Sequence, residues 1–222
     1  MRRRESPAPH PVAAVIRPIQ VLTGREPKPR ETERFGLYLR LLAEWNRTSR
    51  LTAIRSAEVI VADLFVDSLL FLSNLPSGSI RMADLGTGPG IPGIPLRIVR
   101  DDISLTLVES KRKRVSFLAA LKRELGLTDV LVFEGRAEEL VKQRVELAGT
   151  FDVVVARAVG SSMLPIAMSY LRPGGLFVAG GSPAGSTIDA SGKAGPSGVQ
   201  HQTKQFDKLG LSRAFILSQK AP

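Results

Sequence analysis

Apolar residues recur along this 222-residue chain with two different periods, and the change of period falls near residue 80. Before it, the spacing is helical. Phe35, Leu39, Leu42 and Trp45 predict a helix over 33–46 with Thr32 as its cap, and Val59, Ile60, Leu64, Leu69 and Leu70 predict a second over 57–72 behind Ser56. After residue 80, short apolar runs alternate with amphipathic stretches. Strands are predicted at Ile80–Leu85, Ser104–Val108, Val130–Phe133, Phe151–Ala156 and Leu176–Ala179. The helices between them are predicted at 92–100, 111–125, 136–147 and 161–171. Repeated strand–helix units build a mostly parallel sheet with helices on both faces. The stretch 180–198 is rich in Gly, Ser, Ala and Pro and reads as a loop. A last strand at Ala214–Ser218, paired with 199–205, would close the sheet edge. Residues 1–30 carry Pro7, Pro9, Pro11, Pro18, Pro27 and Pro29 and are read as a flexible basic tail, because proline removes donors and fixes φ. The rest, 31–222, is read as one domain: N-terminal helices over 31–75 and an α/β core over 80–222.

Composition narrows the chemistry. The chain has no cysteine, which excludes disulfides, a Cys-ligated metal site and a thiol nucleophile. Its two histidines, His10 and His201, fall in segments that suggest no imidazole chemistry, and no metal-ligand pattern is present. No run approaches the roughly 18 apolar residues of a membrane span, so a cytoplasmic protein is expected. The formal net charge is +10, with 11 basic and 5 acidic residues in the first fifty. That excess favours a polyanionic partner such as RNA.

The most specific segment is Ala83-Asp84-Leu85-Gly86-Thr87-Gly88-Pro89-Gly90-Ile91-Pro92-Gly93. It follows a predicted strand and opens a helix, as a nucleotide-binding loop must. The glycine spacing is not that of a dinucleotide loop, and the loop lacks the lysine of a Walker A loop. The D-x-G-x-G-x-G form resembles class I S-adenosylmethionine-dependent methyltransferases, which have a Rossmann-like fold. In those, an acidic residue after the second strand accepts both ribose hydroxyls; Glu109 follows Leu105-Thr106-Leu107-Val108.

Further segments resemble one family within that class, the bacterial enzymes that methylate guanosine N7 in 16S ribosomal RNA, also called glucose-inhibited division protein B. These are Trp45-Asn46 through Leu51-Thr52-Ala53, Asp67-Ser68-Leu69, Glu109-Ser110 with Lys113-Arg114-Val115 and Phe117-Leu118, Arg136-Ala137-Glu138, and Ala156-Arg157-Ala158. The resemblance implies S-adenosylmethionine as cofactor, held around Gly86, Ile91, Ala137, Glu138 and Arg157, with Asp84, Gly88 and Glu109 following from the class. It also implies that Arg157 acts where substrate and cofactor meet; an internal ion pair with Asp152 or Asp84 is the structural alternative. The implied partner is 16S ribosomal RNA or a small-subunit assembly particle, met by a monomer. The chain departs from the family's pattern at Arg50, where Asn is usual, at Leu64, where His is usual, and at Gly181-Ser182, where Lys-Gly is usual. A class I methyltransferase acting on a small molecule, and a catalytically degenerate RNA-binding relative, are the alternative functions. Lys111-Arg112-Lys113-Arg114 opens a helix against its macrodipole, either to meet phosphate or as a solvated face.

Overall fold

The computed structural model describes residues 10–157, 163–180 and 199–221. Among them, seven strands form one sheet in the order β3-β2-β1-β4-β5-β7-β6. The strands are β1 (Ile80–Leu85), β2 (Ile103–Glu109), β3 (Val130–Glu134), β4 (Phe151–Arg157), β5 (Leu171–Gly180), β6 (Val199–Phe206) and β7 (Leu211–Gln219). The first five are parallel. β7 runs antiparallel to β5 and to β6, and the tight turn Asp207–Leu209 joins β6 to β7 as a hairpin. The chain builds β1, β2 and β3 outward in one direction, then crosses back so that β4 lies on the other side of β1. Such a reversal opens a crevice at the carboxyl ends of the strands, where ligands of open α/β sheets bind.

The helices are α1 (Ile16–Thr23), α2 (Pro29–Ser49), α3 (Ala57–Ile60), α4 (Asp67–Leu69), α5 (Gly93–Val99), α6 (Arg112–Glu124), α7 (Ala137–Gln143) and α8 (Met163–Tyr170). Side chains alternate between sheet faces, and the two sets bury two cores. Met82, Leu105, Leu107, Val153 and Val155 pack with residues of α1, α2, α5 and α6. Ala83, Leu85, Val108, Val154 and Ala156 pack with residues of α7 and α8. Helices therefore cover both faces, as the alternating pattern predicts, and the N-terminal helices thicken only the first.

The structure differs from the tail expected at 1–30. Pro11–Val15 forms a 3₁₀ turn that runs into α1, and Val12, Val15 and Ile19 are buried in the first core. Pro11 stands at the first position of its turn, where a missing N–H costs nothing. Residues 1–9 lie outside the described residues.

Helix α2 begins earlier than Thr32. Pro29 starts it, Lys28 is the cap residue, and the Glu31 carboxylate accepts the Lys28 N–H at 2.8 Å. Thr32 is already inside, its hydroxyl donating to the Pro29 carbonyl. The expected helix over 57–72 is capped by Ser56, which accepts the Val59 N–H, but it is not uniformly α: a π turn, Val61–Val66, separates α3 from α4, and a 3₁₀ turn, Leu70–Asn74, follows. The helix predicted at 136–147 stops at Gln143, and the short turn Val145–Leu147 follows. The loop predicted at 180–198 falls, beyond Gly180, outside the described residues.

Candidate cofactor and substrate site

Strand parity decides which residues meet. Asp84, Glu109 and Arg157 share the parity of Met82, Leu107 and Val155, so all three sit on the N-terminal-helix face at the carboxyl ends of β1, β2 and β4. Asp84 is fully buried. Its Oδ2 accepts the Thr87 hydroxyl at 2.6 Å and the Gly93 N–H at 2.8 Å. Its Oδ1 is buried and accepts no hydrogen bond among the described residues. Burial pushes this carboxyl up to about 7, further than the bonds from Thr87 and Gly93 pull it down.

The glycine loop is anchored from below and from the side. The N–H groups of Gly86 and Thr87 donate to the Val108 carbonyl at 2.9 and 3.1 Å. The buried Tyr38 hydroxyl of α2 donates to the Pro89 carbonyl at 2.6 Å. Two glycines look outward: Gly86 and Gly88 have φ of +72° and +60°, a Cβ at Gly86 would meet nothing within 4 Å, and one at Gly88 only the end of Arg114 at 3.8 Å. Gly93 looks inward, where a Cβ would press on Asp84 at 2.8 Å and on Leu107 at 2.9 Å.

Glu109 is buried and holds the loop itself. Its Oε2 accepts the Gly88 N–H at 2.9 Å and faces Arg114 at 3.4 Å, while its Oε1 accepts the Lys111 N–H at 2.8 Å. Arg114, last of the basic run, is thus turned inward, and it also donates to the Leu51 carbonyl. Lys111, Arg112 and Lys113 stay exposed. The 51–54 loop is pinned by Asn46, whose side chain accepts from Thr52 N and donates to the Ile54 carbonyl. Arg50 ends α2 in the left-handed conformation, φ 48°, which suits the Asn usual there better than Arg.

These parts enclose a cavity of about 320 Å³. Leu51–Ala53, Leu64, Gly86–Pro89, Ile91, Arg114 and Arg157 line it. Two cavities of about 620 Å³ lie elsewhere, against the β6–β7 turn, so size does not mark the site; the loop and the strand ends do. Arg157 meets neither carboxylate expected for it. Its Nε lies 3.0 Å from Asp67 Oδ2, whereas Asp152 pairs with Arg172 and Asp84 feels Arg157 only as a weak, more distant charge. Asp84 and Glu109, buried behind the loop, do not line this cavity, and neither do Ala137 and Glu138. The last two open α7 beside the end of β2, where the Gly135 N–H donates to the Glu109 carbonyl, and the Ala137 carbonyl accepts from Tyr170. Gly181-Ser182 lie outside the described residues.

A family model described as rRNA small subunit methyltransferase G (GidB) matches residues 31–184. The chain belongs to this family. An rRNA small subunit methyltransferase G from Desulfitobacterium hafniense is 41% identical over 199 residues, 86% of this chain and 81% of that protein. One from Streptococcus pyogenes serotype M12 is 37% identical over 157 residues, 68% of this chain and 65% of its own. Among solved structures, a putative O-methyltransferase from Klebsiella pneumoniae superposes with a TM-score of 0.54 at 18% identity, covering 83% of this chain and 90% of its own. A SAM-dependent methyltransferase from Aquifex aeolicus gives 0.52 at 12% identity, covering 72% and 92%. At such identities these two share the fold. As a member of the methyltransferase G family, the chain is an S-adenosylmethionine-dependent rRNA methyltransferase.

Sequence reasoning missed several residues that build this family member's site. Tyr38 lies within the apolar stripe of α2, and its hydroxyl was the available signal. Asp67 was matched only as part of a motif, without a role. Nothing in the sequence pointed to Arg213, which shares the Asp67 carboxylate with Arg157.

Proposed function

We propose that this chain transfers the methyl group of S-adenosylmethionine to guanine N7 in 16S ribosomal RNA, as a cytoplasmic monomer. The observation that carries the site assignment is the pair of outward-facing glycines, Gly86 and Gly88, on the cavity wall, above a buried Asp84 whose Oδ1 is unpaired. S-adenosylmethionine carries two cationic centres, and a cation near that oxygen would relieve a carboxylate that burial holds at a pKa of about 7. The residues present therefore fit the cofactor. Gly86, Gly88 and Ile91, on the cavity wall, would shape its bed, and Asp84, sealed beneath the loop, would act on its cationic part only as a charge at a distance. Glu109 accepts from Gly88, Arg114 and Lys111, which leaves one acceptor position, on Oε1, for a ribose hydroxyl. Ala137 and Glu138 stand ready on the neighbouring turn. Bound S-adenosylmethionine supplies a methyl group activated on sulfonium sulfur.

The remaining work is positioning. Guanine N7 offers a lone pair and bears no proton, so no base has to act before the methyl moves. In keeping with this, the chain has no cysteine, and no histidine lines the cavity among the described residues. Held in line with the methyl–sulfur bond, N7 reacts at a rate that orientation largely supplies. Arg157, at the cavity wall, offers a cation to the cofactor carboxylate or to the oxygen edge of the guanine.

The test is to map 7-methylguanosine in 16S ribosomal RNA from cells with this gene, without it, and with Gly88→Val in its place. One site is expected to carry the mark only with the intact gene. Loss of the mark in Gly88→Val, with calorimetry showing no cofactor binding to the folded variant, supports the assigned bed. An unmethylated RNA in all three strains points to a small-molecule substrate or an inactive relative.

A further inference from the structure

Two features of the segment between α3 and α4 converge on Arg157 from outside the glycine loop. In an α-helix the Asp63 carbonyl would accept the N–H of Asp67, four residues on. The π turn Val61–Val66 breaks that pairing: the Asp67 N–H reaches the carbonyls of Ala62 and Leu64 instead. The Asp63 carbonyl accepts from Arg157 Nη2 at 2.5 Å. The same turn delivers the Asp67 side chain. Its Oδ2 lies 3.0 Å from Arg157 Nε, and its Oδ1 pairs with Arg213 Nε. Asp67 is 3% exposed, so both contacts act largely out of water. Turns of this kind are insertions into a helix that recur at functional sites.

We infer that the π turn and Asp67 are a positioning device for Arg157, holding its guanidinium so that its remaining donors serve an acceptor oxygen in the cavity. That oxygen belongs to the cofactor carboxylate or to guanine O6. The inference rests on the methyl-transfer reading above. Arg157 pairs with Asp67 as an ion, its Nε 3.0 Å from Oδ2, and donates one Nη2–H to the Asp63 carbonyl. Three Nη N–H groups remain on a side chain that lines the cavity beside Gly86. Asp67 alone would neutralise Arg157. Arg213, on the second oxygen of the same carboxylate, leaves the triad with one net positive charge. The guanidinium is thus both held and still electrostatically active. A merely structural triad would tie the π turn to β4 and β7 with no consequence for the reaction.

Three variants separate the two: Asp67→Asn, Arg157→Lys and the double variant. Asp67→Asn keeps the shape of the side chain and removes its charge. Single-turnover formation of 7-methylguanosine is expected to fall at least tenfold in Asp67→Asn, and the double variant to be no slower than Arg157→Lys alone. That non-additivity is the signature of one residue acting through another. A wild-type rate in a folded Asp67→Asn, or losses that multiply in the double variant, overturns the proposal. If Asp67→Asn does not fold, Asp67→Glu keeps the charge but displaces the guanidinium, and the same tenfold loss is expected; a wild-type rate overturns it.

Calorimetry with S-adenosylhomocysteine tells the two oxygens apart. An affinity at least tenfold weaker in Asp67→Asn assigns the donors to the cofactor carboxylate, whereas an unchanged affinity with slowed transfer assigns them to guanine. A readout independent of activity is the Nη2–H resonance of Arg157, bonded to the Asp63 carbonyl and identified by its absence in Arg157→Lys. It is expected to be protected from solvent exchange in the wild type and to lose that protection in Asp67→Asn. Equal protection in both overturns the proposal. A wild type that makes no 7-methylguanosine sinks only the reaction reading, because this resonance still decides the positioning role.

Discussion

A carboxyl group sealed beneath a glycine loop, with one oxygen unpaired, makes stability depend on pH in a direction opposite to that of most carboxylates. The unfolded chain releases the Asp84 proton near pH 3.9. The folded protein holds it to about pH 7. Between those values the folded state binds more protons, so the contribution of this group falls as pH rises from about 4 to about 7 and is level above that. The loss is up to roughly 4 kcal/mol for a shift of about three units. Asp101, held low by its bond with Lys28, and Asp102, held low by Arg100, work in the other sense, gaining stability as pH rises. Their gain is complete by about pH 4, below the Asp84 window. Urea denaturation from pH 5 to 8 should therefore show stability declining, Asp84→Asn should remove the decline, and saturating S-adenosylmethionine should flatten it. A rising curve, or an unaltered slope in Asp84→Asn, would take Asp84 out of the account.

At the scale of elements, the N-terminal segment is part of the structure that positions the site. Val12, Val15 and Ile19 fill the first core, and α2 reaches the loop through Tyr38. Ile19→Ala is expected to cost about 2–5 kcal/mol in denaturant unfolding, the range for truncating a buried isoleucine. A change under about 0.5 kcal/mol would restore the segment to the status of a tail. The reading of 1–30 as a tail weighed six prolines and overlooked three apolar residues spaced three and four apart. Its error has a physical cause: Pro11 and Pro18 fall in opening turns, where their missing donors are not needed. The strands were legible because each is a short apolar run between polar breaks, and parity then placed Asp84, Glu109 and Arg157 together. The π turn was not legible. Residues 59–72 are so uniformly apolar that one extra residue in the helical ladder leaves no mark on their period. The partner of Arg157 was unreadable for the same reason, since Asp67 reaches it only by that turn.

For the whole molecule, exposed basic residues flank the site. Exposed Arg47, Arg50 and Arg55 flank the 51–54 loop, and exposed Lys111, Arg112 and Lys113 open α6 beside Glu109. Binding of 16S ribosomal RNA should weaken steeply with salt, because each Lys or Arg placed on a phosphate releases counterions. Charge reversal at Lys111 and Arg112 together should lower affinity and flatten the slope of log affinity against log salt by about 0.7 for each phosphate that is no longer neutralised. An unchanged slope would make that run a solvated helix end. Arg114 is expected to contribute little to the slope, being held by Glu109 and the Leu51 carbonyl.

The gathering of three strand ends on one sheet face carries a further consequence, for how such a chain can vary in length. Loops between the elements can gain or lose residues without moving the site. A single insertion or deletion within β1, β2 or β4 cannot, because it exchanges odd for even along that strand. Asp84, Glu109 or Arg157 would then swing through the sheet into the core beneath α7 and α8, and an apolar neighbour would take its place above. The site is protected less by the identity of the strand residues than by their number.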